Sequence, residues 1–378
     1  MSSIRLLISA HDPGAANAII PVILKAETDP RFDLFIVAHG PAIDIFKSAG
    51  INARNIEVPR ITKADDPDYK ILFNTANILL DEVCPDAVLN GLSGTDAGLD
   101  EALINSVSDS TLTFSLQDFW GDVNPILPLH AKIFLVPDSY AEKITKSRIK
   151  AEVIPVGMPA YTGLQLTHSR NEARKELGLK EDMIGLFWFG QPLWSVKGYP
   201  DSLMSFSKSV SMLDLPSKLF YKPHPRESKD DIKKSTDCFY ANNNEVTVVN
   251  AVDNKILLAA CDVAISAYSL IGLDLLQMQR VSTHSFGIPV YYLVNSDLYE
   301  NYKKYTGLNT MPLVDMGLAL ACFKEEELGK IIQEALLMQK EDKISKLTKK
   351  IIPDSKTAPS RILDIIYKKV SEYVKDVK

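Results

Sequence analysis

The chain has 378 residues and a mass of 42.0 kDa, enough for about two domains with large buried cores. Its 46% hydrophobic and 24% charged residues exclude disordered and fibrous classes, and a formal charge of −6 excludes a protein whose main partner is nucleic acid. No apolar run reaches the roughly 18 residues of a membrane span, and the N-terminal residues lack a signal-peptide pattern. With four widely spaced cysteines, we therefore expect a cytoplasmic protein with reduced thiols.

Short runs rich in valine and isoleucine alternate with longer segments of helical period, which predicts parallel sheets covered by helices. The predicted strands of the first half are Ile4–Ser9, Leu34–Ala38, Ala87–Asn90, Leu112–Ser115 and Ile133–Val136. Its predicted helices are Ala15–Lys25, one after Pro41, Ile71–Val83, Ala97–Val107 and Ser139–Ile149. This alternation indicates a doubly wound α/β domain over residues 1–158.

A polar linker over residues 159–182, with one short helix at Arg170–Leu177, separates this domain from a second alternation over residues 183–350. The predicted strands there are Ile184–Phe189, Lys218–Tyr221, Thr247–Val249, Val263–Ser266 and Val281–Ser285, and the predicted helices are Ser202–Met212, Asn254–Ala260, Leu270–Gln277 and Glu325–Lys340. Residues 351–378 contain a last helix, Ser360–Val374, expected to pack back on the first domain. The sequence thus predicts two Rossmann-like domains that face a ligand cleft.

The loop after the first predicted strand, His11-Asp12-Pro13-Gly14, leads into an apolar helix that contains Asn17. Small residues let a ligand approach the backbone, and the N–H groups at a helix start favour an anion or a polar sugar. We expect Asp12, Gly14 and Asn17 to contact substrate, with a simple helix cap as the alternative for Asp12. Since the loop has a single glycine, it is not a dinucleotide-binding fingerprint.

A histidine between two prolines follows a predicted strand of the second half, in Lys222-Pro223-His224-Pro225-Arg226. The prolines restrict the backbone on both sides of the imidazole, and cations flank it. This arrangement favours phosphate binding by Lys222 and His224, with Pro225 lining the site. The alternative is a histidine that only makes a structural hydrogen bond in a loop.

Two more loops follow predicted strands of the second half. Ser266-Ala267-Tyr268-Ser269 enters a helix, so its hydroxyls and the helix N–H groups can donate to phosphate oxygens, although one serine could be only a cap. Gln191 ends the first strand of this half and is a further candidate for lining the site. No H-E-x-x-H or Asp-x-Asp pattern is present, so no metal site is predicted.

Two α/β halves, a Lys-x-His-Pro element and a two-serine turn before a helix resemble the GT-B glycosyltransferase superfamily. The nearest resemblance is to bacterial capsule and lipopolysaccharide enzymes: the sialyl- and Kdo-transferases and the teichoic-acid glycerophosphotransferases. The resemblance implies that His224, Ser266 and Ser269 hold the phosphate of a CMP-, CDP- or UDP-linked sugar donor, with no further cofactor. It also implies transfer to a glycan or lipid-linked acceptor in surface polysaccharide synthesis.

Such a transferase needs a base for the acceptor hydroxyl, and three residues of the first half are candidates: Asp96, Asp118 and His11. Asp96-Ala97-Gly98 matches only half of the acid-acid-Gly base motif of the sialyltransferases. Asp96 could instead cap a helix. Phe119 and Trp120, next to Asp118, could stack on a sugar or fill the core.

Other functions remain open from the sequence. A UDP-N-acetylglucosamine 2-epimerase would have the same architecture, but the Gly-Thr-Arg-Pro-Glu and His-x-Glu-Ala-Gly elements of those enzymes are missing. A non-catalytic nucleotide-sugar-binding module and a periplasmic-type binding protein are further alternatives. Lys368, Lys369 and Lys375 of the last helix suggest a weak peripheral membrane contact.

Overall fold

A computed structural model describes residues 3–92 and 94–376, and the side chains of Val374–Asp376, including Lys375, lie outside the described part. The chain divides into two compact units: unit 1 comprises Met1–Gly163 and Pro353–Lys378, and unit 2 comprises Leu164–Ile352. Each unit contains one parallel sheet flanked by helices, which confirms the predicted α/β fold class. None of the helices in the described part is both long and apolar enough to cross a bilayer.

Unit 1 contains a seven-stranded sheet. Its strands are β1 (Ile4–Ala10), β2 (Phe32–Ala38), β3 (Arg54–Asn55), β4 (Ala87–Asn90), β5 (Leu112–Leu116), β6 (Ile133–Val136) and β7 (Glu152–Pro155). Its helices are α1 (Pro13–Ala26), α2 (Ala42–Ser48), α3 (Tyr69–Val83), α4 (Leu99–Ser106), α5 (Ser139–Arg148) and the last helix of the chain, α15 (Ala358–Asp376).

The strands of unit 1 are all parallel, in the order β3-β2-β1-β4-β5-β6-β7. The central strands are buried on both faces, which explains why they consist of nearly continuous apolar runs. Helices α1 and α15 pack on the same hydrophobic core, and α15 contributes one apolar face through Ile362, Leu363, Ile366 and Val370.

Unit 2 contains a six-stranded sheet. Its strands are β8 (Ile184–Phe189), β9 (Ser217–Lys222), β10 (Val246–Val248), β11 (Val263–Ser266), β12 (Ile288–Tyr292) and β13 (Leu320–Cys322). Its helices are α6 (Arg170–Glu176), α7 (Tyr199–Ser211), α8 (Lys229–Tyr240), α9 (Asn254–Ala260), α10 (Ile271–Val281), α11 (Ser296–Thr306), α12 (Pro312–Asp315), α13 (Leu328–Lys340) and α14 (Lys343–Ile351).

The sheet of unit 2 has the parallel order β10-β9-β8-β11-β12-β13. Aromatic side chains fill its core on both faces. Phe187 stacks on Phe220 with ring centroids 4.4 Å apart, and on the neighbouring position Trp188 lies 4.5 Å from Phe206. Since successive side chains of a strand point to opposite faces, Phe187 and Trp188 place aromatic packing on both faces of β8.

One predicted strand of unit 2 is wrong. Residues Val281–Ser285 do not form a strand, because α10 extends to Val281 and the strand begins at Ile288. The real strand contains Pro289, which cannot donate a ladder hydrogen bond and is unusual inside a sheet. Strand β12 nevertheless pairs with a strand on each side, and all five of its residues are buried. The sequence analysis also missed several elements: β3, β13, α8, α11 and α12.

A buried carboxylate joins the linker helix α6 to the sheet of unit 2. Asp262 accepts hydrogen bonds from Arg170, from Arg174 Nη1 at 2.9 Å and from the N–H of Gly185 at 2.7 Å. Arg174 and Asp262 are each only 7% exposed. Removing one partner of such a pair leaves an uncompensated buried charge.

We therefore expect Asp262→Ala to lower the free energy of unfolding of unit 2 by about 3 kcal/mol or more. Urea unfolding followed by the fluorescence of Trp188 and Trp194 would measure the loss. The control is Asp237→Ala, which breaks the exposed pair of Asp237 with Lys233 in α8 of the same unit and should cost less than about 1 kcal/mol. Equal losses in the two variants would contradict the structural role of Asp262.

Candidate functional site

Three loops of unit 2 meet at one edge of its sheet, where the strand order reverses. Strands β8 and β11 are neighbours, and the strands that follow each of them lie on opposite sides of this pair. Ligands of parallel α/β sheets bind outside the carboxyl ends of the strands at such a switch point. The loops after β8, β9 and β11 carry Gln191, His224 and the Ser266–Ser269 turn.

The turn after β9 holds the His224 ring in one tautomer. The N–H of Arg226 donates to His224 Nδ1 at 3.0 Å, so the ring proton is on Nε2. Burial, reinforced by the charge of Arg226, lowers the pKa of His224 below its ordinary value. At pH 7 the half-buried ring therefore offers a neutral Nε2–H donor, and Pro225 beside it is exposed.

Lys222 has a structural role in the same turn. Its ammonium group donates to the main-chain oxygens of Asn250 at 2.7 Å and Val252 at 2.8 Å. These bonds tie the end of β9 to the loop before α9 and leave one ammonium proton for a ligand. Burial lowers the pKa of Lys222. A direct contact between Lys222 and phosphate stays a prediction.

Both serines of the turn after β11 accept hydrogen bonds from the main chain. Ser266 Oγ accepts from the N–H of Ser269 at 3.3 Å, and Ser269 Oγ accepts from the N–H of Ile271, in the first turn of α10, at 3.2 Å. Ser266 is 2% exposed, so it closes the turn, and the expected contact between its hydroxyl and a phosphate is not supported. Ser269 is half-buried, and its O–H is left to donate to a ligand.

Gln191 connects the loop after β8 to the loop after β11. Its Oε1 accepts from the N–H of Tyr268 at 2.9 Å, and the contact of its NH2 group with a ligand stays a prediction. The hydroxyl of Tyr268 donates to Asn301 Oδ1 at 2.8 Å, and its ring lies 5.6 Å from that of Tyr302. Burial raises the pKa of Tyr268 to about 12, so the hydroxyl keeps its proton.

Glu227 belongs to this edge but was missed by the sequence analysis. Its carboxylate accepts from the N–H of His224 at 2.6 Å and from the hydroxyl of Tyr221 at 2.9 Å. Glutamate is almost never fully buried, so a single glutamate after a His-Pro pair gives no signal in the sequence. Only the fold places it at 8% exposure, behind the His224 turn.

In unit 1 the strand order reverses between β1 and β4, and the loop after β1 carries His11 and Asp12. Asp12 Oδ1 lies 2.5 Å from His11 Nδ1 and 3.6 Å from Arg60 Nη1. Arg60 comes from the segment between β3 and α3, and its Nη2 donates to the main-chain oxygen of Asp96 at 3.1 Å. Arg60 thus joins the loop of His11 to the loop of Asp96, two of the base candidates. The sequence does not indicate this role, because the partners of Arg60 are distant along the chain.

The start of α1 is open to solvent on one side. Asp12 is the N-cap residue, but within the described chain its side chain makes no capping hydrogen bond and instead faces His11. Gly14 and Asn17 are both exposed in the first turns of α1. A Cβ at Gly14 would overlap Asp118 Oδ2, so the absence of a side chain at Gly14 lets this carboxylate lie against the helix start.

Two carboxyl groups in the loop after β5 have raised pKa values. Burial, with the negative charge of Asp12 as a smaller cause, raises the pKa of Asp118 to about 6. Burial and the nearby Asp118 raise the pKa of Asp122 to about 7, against the opposing charge of Arg148. A carboxylate with a pKa near 6 is ionised at neutral pH yet basic enough to take a proton, as a general base must be.

Asp96 lies at the same edge of unit 1 but does not cap a helix. Helix α4 begins at Leu99 with Gly98 as its N-cap residue, so the capping alternative for Asp96 is wrong. Asp96 is half-buried, and its main-chain oxygen also accepts from Asn124 Nδ2 at 3.0 Å. The structure therefore leaves Asp96 and Asp118 as two carboxylates on neighbouring loops.

Trp120 does not offer a stacking surface for a sugar. It is 1% exposed, and its Nε1–H donates to Asp138 Oδ2 at 2.9 Å, so it fills the core of unit 1. Phe119 is half-buried and packs edge-to-face against Trp120, with ring centroids 5.6 Å apart. Among the described residues, no three His, Cys, Asp or Glu side chains are grouped so that they could hold a metal ion.

The two units are Rossmann-like domains in tandem, the arrangement of the GT-B fold. No family model and no curated protein match the sequence. Solved structures match over nearly the whole chain, at identities that show the fold alone. The GT-B fold expected from the sequence is therefore confirmed, while the narrower resemblance to capsule and lipopolysaccharide transferases stays a prediction.

Three of these structures illustrate the range of activities. One is a Listeria monocytogenes protein provisionally assigned as a UDP-N-acetylglucosamine 2-epimerase, with 15% identity over 98% of this chain and 97% of that chain and a TM-score of 0.66. A glycosyltransferase from Rickettsia africae ESF-5 has 11% identity, coverage of 98% and 99%, and a TM-score of 0.64. The UDP-GlcNAc 2-epimerase of Neisseria meningitidis, bound to UDP-GlcNAc, has 12% identity, coverage of 97% and 100%, and a TM-score of 0.59.

The raised pKa of Asp118 predicts a pH-dependent stability. The folded protein binds this proton up to about pH 6, whereas the unfolded chain releases it near the ordinary value of 3.8, so the free energy of unfolding should fall as pH rises between these values. In Asp118→Asn this contribution should be absent. The free energy of unfolding of the variant, measured relative to wild type, should therefore rise by about 2 kcal/mol from pH 4 to pH 8. Urea unfolding at both pH values measures it.

The matched control is Asp44→Asn, at an exposed position of α2, which should leave the difference between pH 4 and pH 8 unchanged. If Asp118→Asn follows the wild-type pH dependence, the Asp118 carboxyl is not held in a buried, proton-retaining environment.

Proposed function

We propose that this protein is a glycosyltransferase that moves a sugar from a nucleotide-activated donor to a glycan or lipid-linked acceptor. The observation that carries the proposal is the edge of unit 2, where the Nε2–H of His224, the hydroxyl of Ser269 and the first turn of α10 are donors at one switch point. These groups suit the phosphate of a CMP-, CDP- or UDP-linked sugar.

On the donor side, catalysis would consist of stabilising the leaving group. As the bond between the sugar carbon and the phosphate oxygen breaks, negative charge grows on the phosphate. Hydrogen bonds from His224 and Ser269 stabilise that charge, aided by the positive end of the α10 dipole. Because the pKa of His224 is lowered, the ring acts at neutral pH as a hydrogen-bond donor and not as a cation.

On the acceptor side, Asp118 is the favoured base. Its carboxylate would take the proton of the acceptor hydroxyl as that oxygen forms the bond to the sugar carbon. A pKa of about 6 suits this step, and the first turn of α1 at Gly14 gives a small, exposed surface beside the carboxylate. Asp96 and His11 remain the other candidates in this unit.

A sugar-nucleotide 2-epimerase is the second candidate, because five of the matched structures are described as such enzymes. An epimerase converts its sugar nucleotide without an acceptor, whereas a transferase needs one. Incubation with UDP-N-acetylglucosamine alone, followed by separation of the epimers, distinguishes the two. Turnover of the isolated sugar nucleotide would overturn the transferase proposal.

The proposal predicts selective binding of one nucleotide. In a thermal-shift screen of CMP, CDP, UDP, GDP and their sugar conjugates, one nucleotide should raise the Tm by about 3 °C or more at ten times its Kd, because it binds only the folded state. His224→Ala should abolish this shift. The control is His284→Ala, the same substitution at an exposed histidine that precedes β12, away from the carboxyl ends of the strands.

If no nucleotide at millimolar concentration shifts the Tm, or if His284→Ala and His224→Ala lose the shift equally, the assignment of the unit 2 edge as a phosphate site is wrong.

The role of Asp118 is tested separately from binding. Asp118→Asn should reduce sugar transfer by about 10²-fold to 10⁴-fold, the usual contribution of a general base, while the nucleotide-induced Tm shift persists. Asp96→Asn is the comparison, since it sits on the neighbouring loop and is expected to retain most activity. The opposite result would make Asp96 the base. Transfer that survives both substitutions would mean that neither carboxylate takes the proton.

A further inference from the structure

Glu227 is a buried carboxylate behind the edge of unit 2, and the proposed reaction does not use it. It is 8% exposed, and burial raises its pKa, although hydrogen bonds from His224 and Tyr221 oppose this rise. A buried carboxylate is costly unless its oxygen atoms are hydrogen-bonded. The hydrogen-bond donors to its two oxygen atoms therefore explain why Glu227 is buried here.

The first oxygen closes the His224 turn. Glu227 Oε2 accepts from the N–H of His224 at 2.6 Å, and the N–H of Glu227 donates back to the main-chain oxygen of His224 at 2.9 Å. Within this closed turn the N–H of Arg226 reaches His224 Nδ1 at 3.0 Å. The bond that places the proton on Nε2 thus depends on the backbone shape that Glu227 stabilises.

The second oxygen anchors the carboxylate to the core. Glu227 Oε1 accepts from the hydroxyl of Tyr221 at 2.9 Å, and Tyr221 is fully buried in β9. A buried tyrosine ring has few alternative rotamers, so this bond sets the position of the carboxylate relative to the sheet. The His224 turn is thereby held against a rigid strand and not only by its own prolines.

Glu227 also lies against the loop after β8. A Cβ at Gly190 would overlap Glu227 Oε2, so this loop packs on the carboxylate through a glycine. The N–H of Gly190 donates to the main-chain oxygen of Lys222 at 2.9 Å, and the next residue, Gln191, accepts from Tyr268. The carboxylate is therefore next to two of the three loops that form the edge.

We infer that Glu227 is a positioning residue that holds the His224 turn so that the ring presents its Nε2–H donor to the ligand, and that Gly190 is required for the loop after β8 to close on it. The nucleotide-binding consequence of this inference rests on the proposed function. The effect on the His224 ring does not, since it concerns only contacts within unit 2.

The test is a set of long-range proton–nitrogen NMR spectra of full-length protein labelled with ¹⁵N-histidine. The chain has six histidines, and the signals of His224 are identified by their loss in His224→Ala. In wild type we expect His224 to show a single tautomer with the proton on Nε2. In Glu227→Ala the two nitrogen signals should move toward each other, because the turn opens and both tautomers become populated.

Glu227→Gln is the conservative variant. Its amide oxygen can accept from the N–H of His224, and its NH2 group can donate to the Tyr221 hydroxyl, so the wild-type tautomer should return. Nucleotide affinity should fall about tenfold or more in Glu227→Ala and stay within about threefold of wild type in Glu227→Gln. If the negative charge of Glu227 were needed, Glu227→Gln would lose as much nucleotide affinity as Glu227→Ala. That result would overturn a purely positional role.

The matched control is Glu325→Ala. Glu325 is another carboxylate of unit 2 with two partners, Ser205 at 2.7 Å and Lys208 at 2.9 Å, but it contacts α7 instead of the His224 turn. Its loss should leave the His224 signals unchanged. If Glu227→Ala does not fold, Gly190→Ala displaces the same carboxylate and should shift the same signals.

The outcomes separate the two hypotheses. Unchanged His224 signals in the folded Glu227→Ala or Gly190→Ala variant would overturn the positioning role, whatever the protein binds. A shifted tautomer without any nucleotide effect in wild type would support the positioning role and reject the proposed function.

Discussion

Parallel strands end at a common edge, and in both units the loops at that edge are the ones that carry candidate functional residues. At the reversal of the order β9-β8-β11, the connections after β8 and β11 leave in opposite directions, the arrangement that opens a crevice at the ends of the central strands. His224, Gln191 and Ser269 come together for this reason, although up to 78 positions separate them along the chain. The site therefore depends first on the strand order of the sheet, which brings the loops together, and only then on the chemistry of each side chain.

The two edges differ in charge and in the chemistry they support. The edge of unit 2 offers neutral donors: an imidazole N–H, a hydroxyl and the N–H groups of a helix start. The edge of unit 1 holds Asp118 and Asp122, whose pKa values are raised first by burial and then by neighbouring negative charge, from Asp12 on both carboxyl groups and from Asp118 on Asp122. In the proposed transfer, the donors of unit 2 would bind the phosphate, and a basic carboxylate of unit 1 would take the proton of the acceptor hydroxyl.

Sequence patterns predicted the long apolar strands well and the irregular elements poorly. Strands such as β1 and β8 are buried on both faces, so their nearly continuous apolar runs identify them in the sequence. Strand β12 was missed because Pro289 weakens the local signal, and only pairing on both sides compensates for it. In the candidate site, the His-Pro motif located the turn, but a motif does not show which polar atoms already have hydrogen-bond partners within the protein. Lys222 bonds to main-chain oxygens, and Ser266 is covered.

The sequence by itself determined the alternation of strands and helices, the tandem of two α/β domains and the loops in which polar residues follow strands, because periodicity and the chemistry of proline, glycine and serine act over short distances. Tertiary structure alone decided the partners: Arg60 beside Asp12, Gly14 against Asp118, and Glu227 beneath His224. Burial and hydrogen bonding depend on segments brought together by the sheet, and these contacts decide which tautomer or ionised form a side chain adopts.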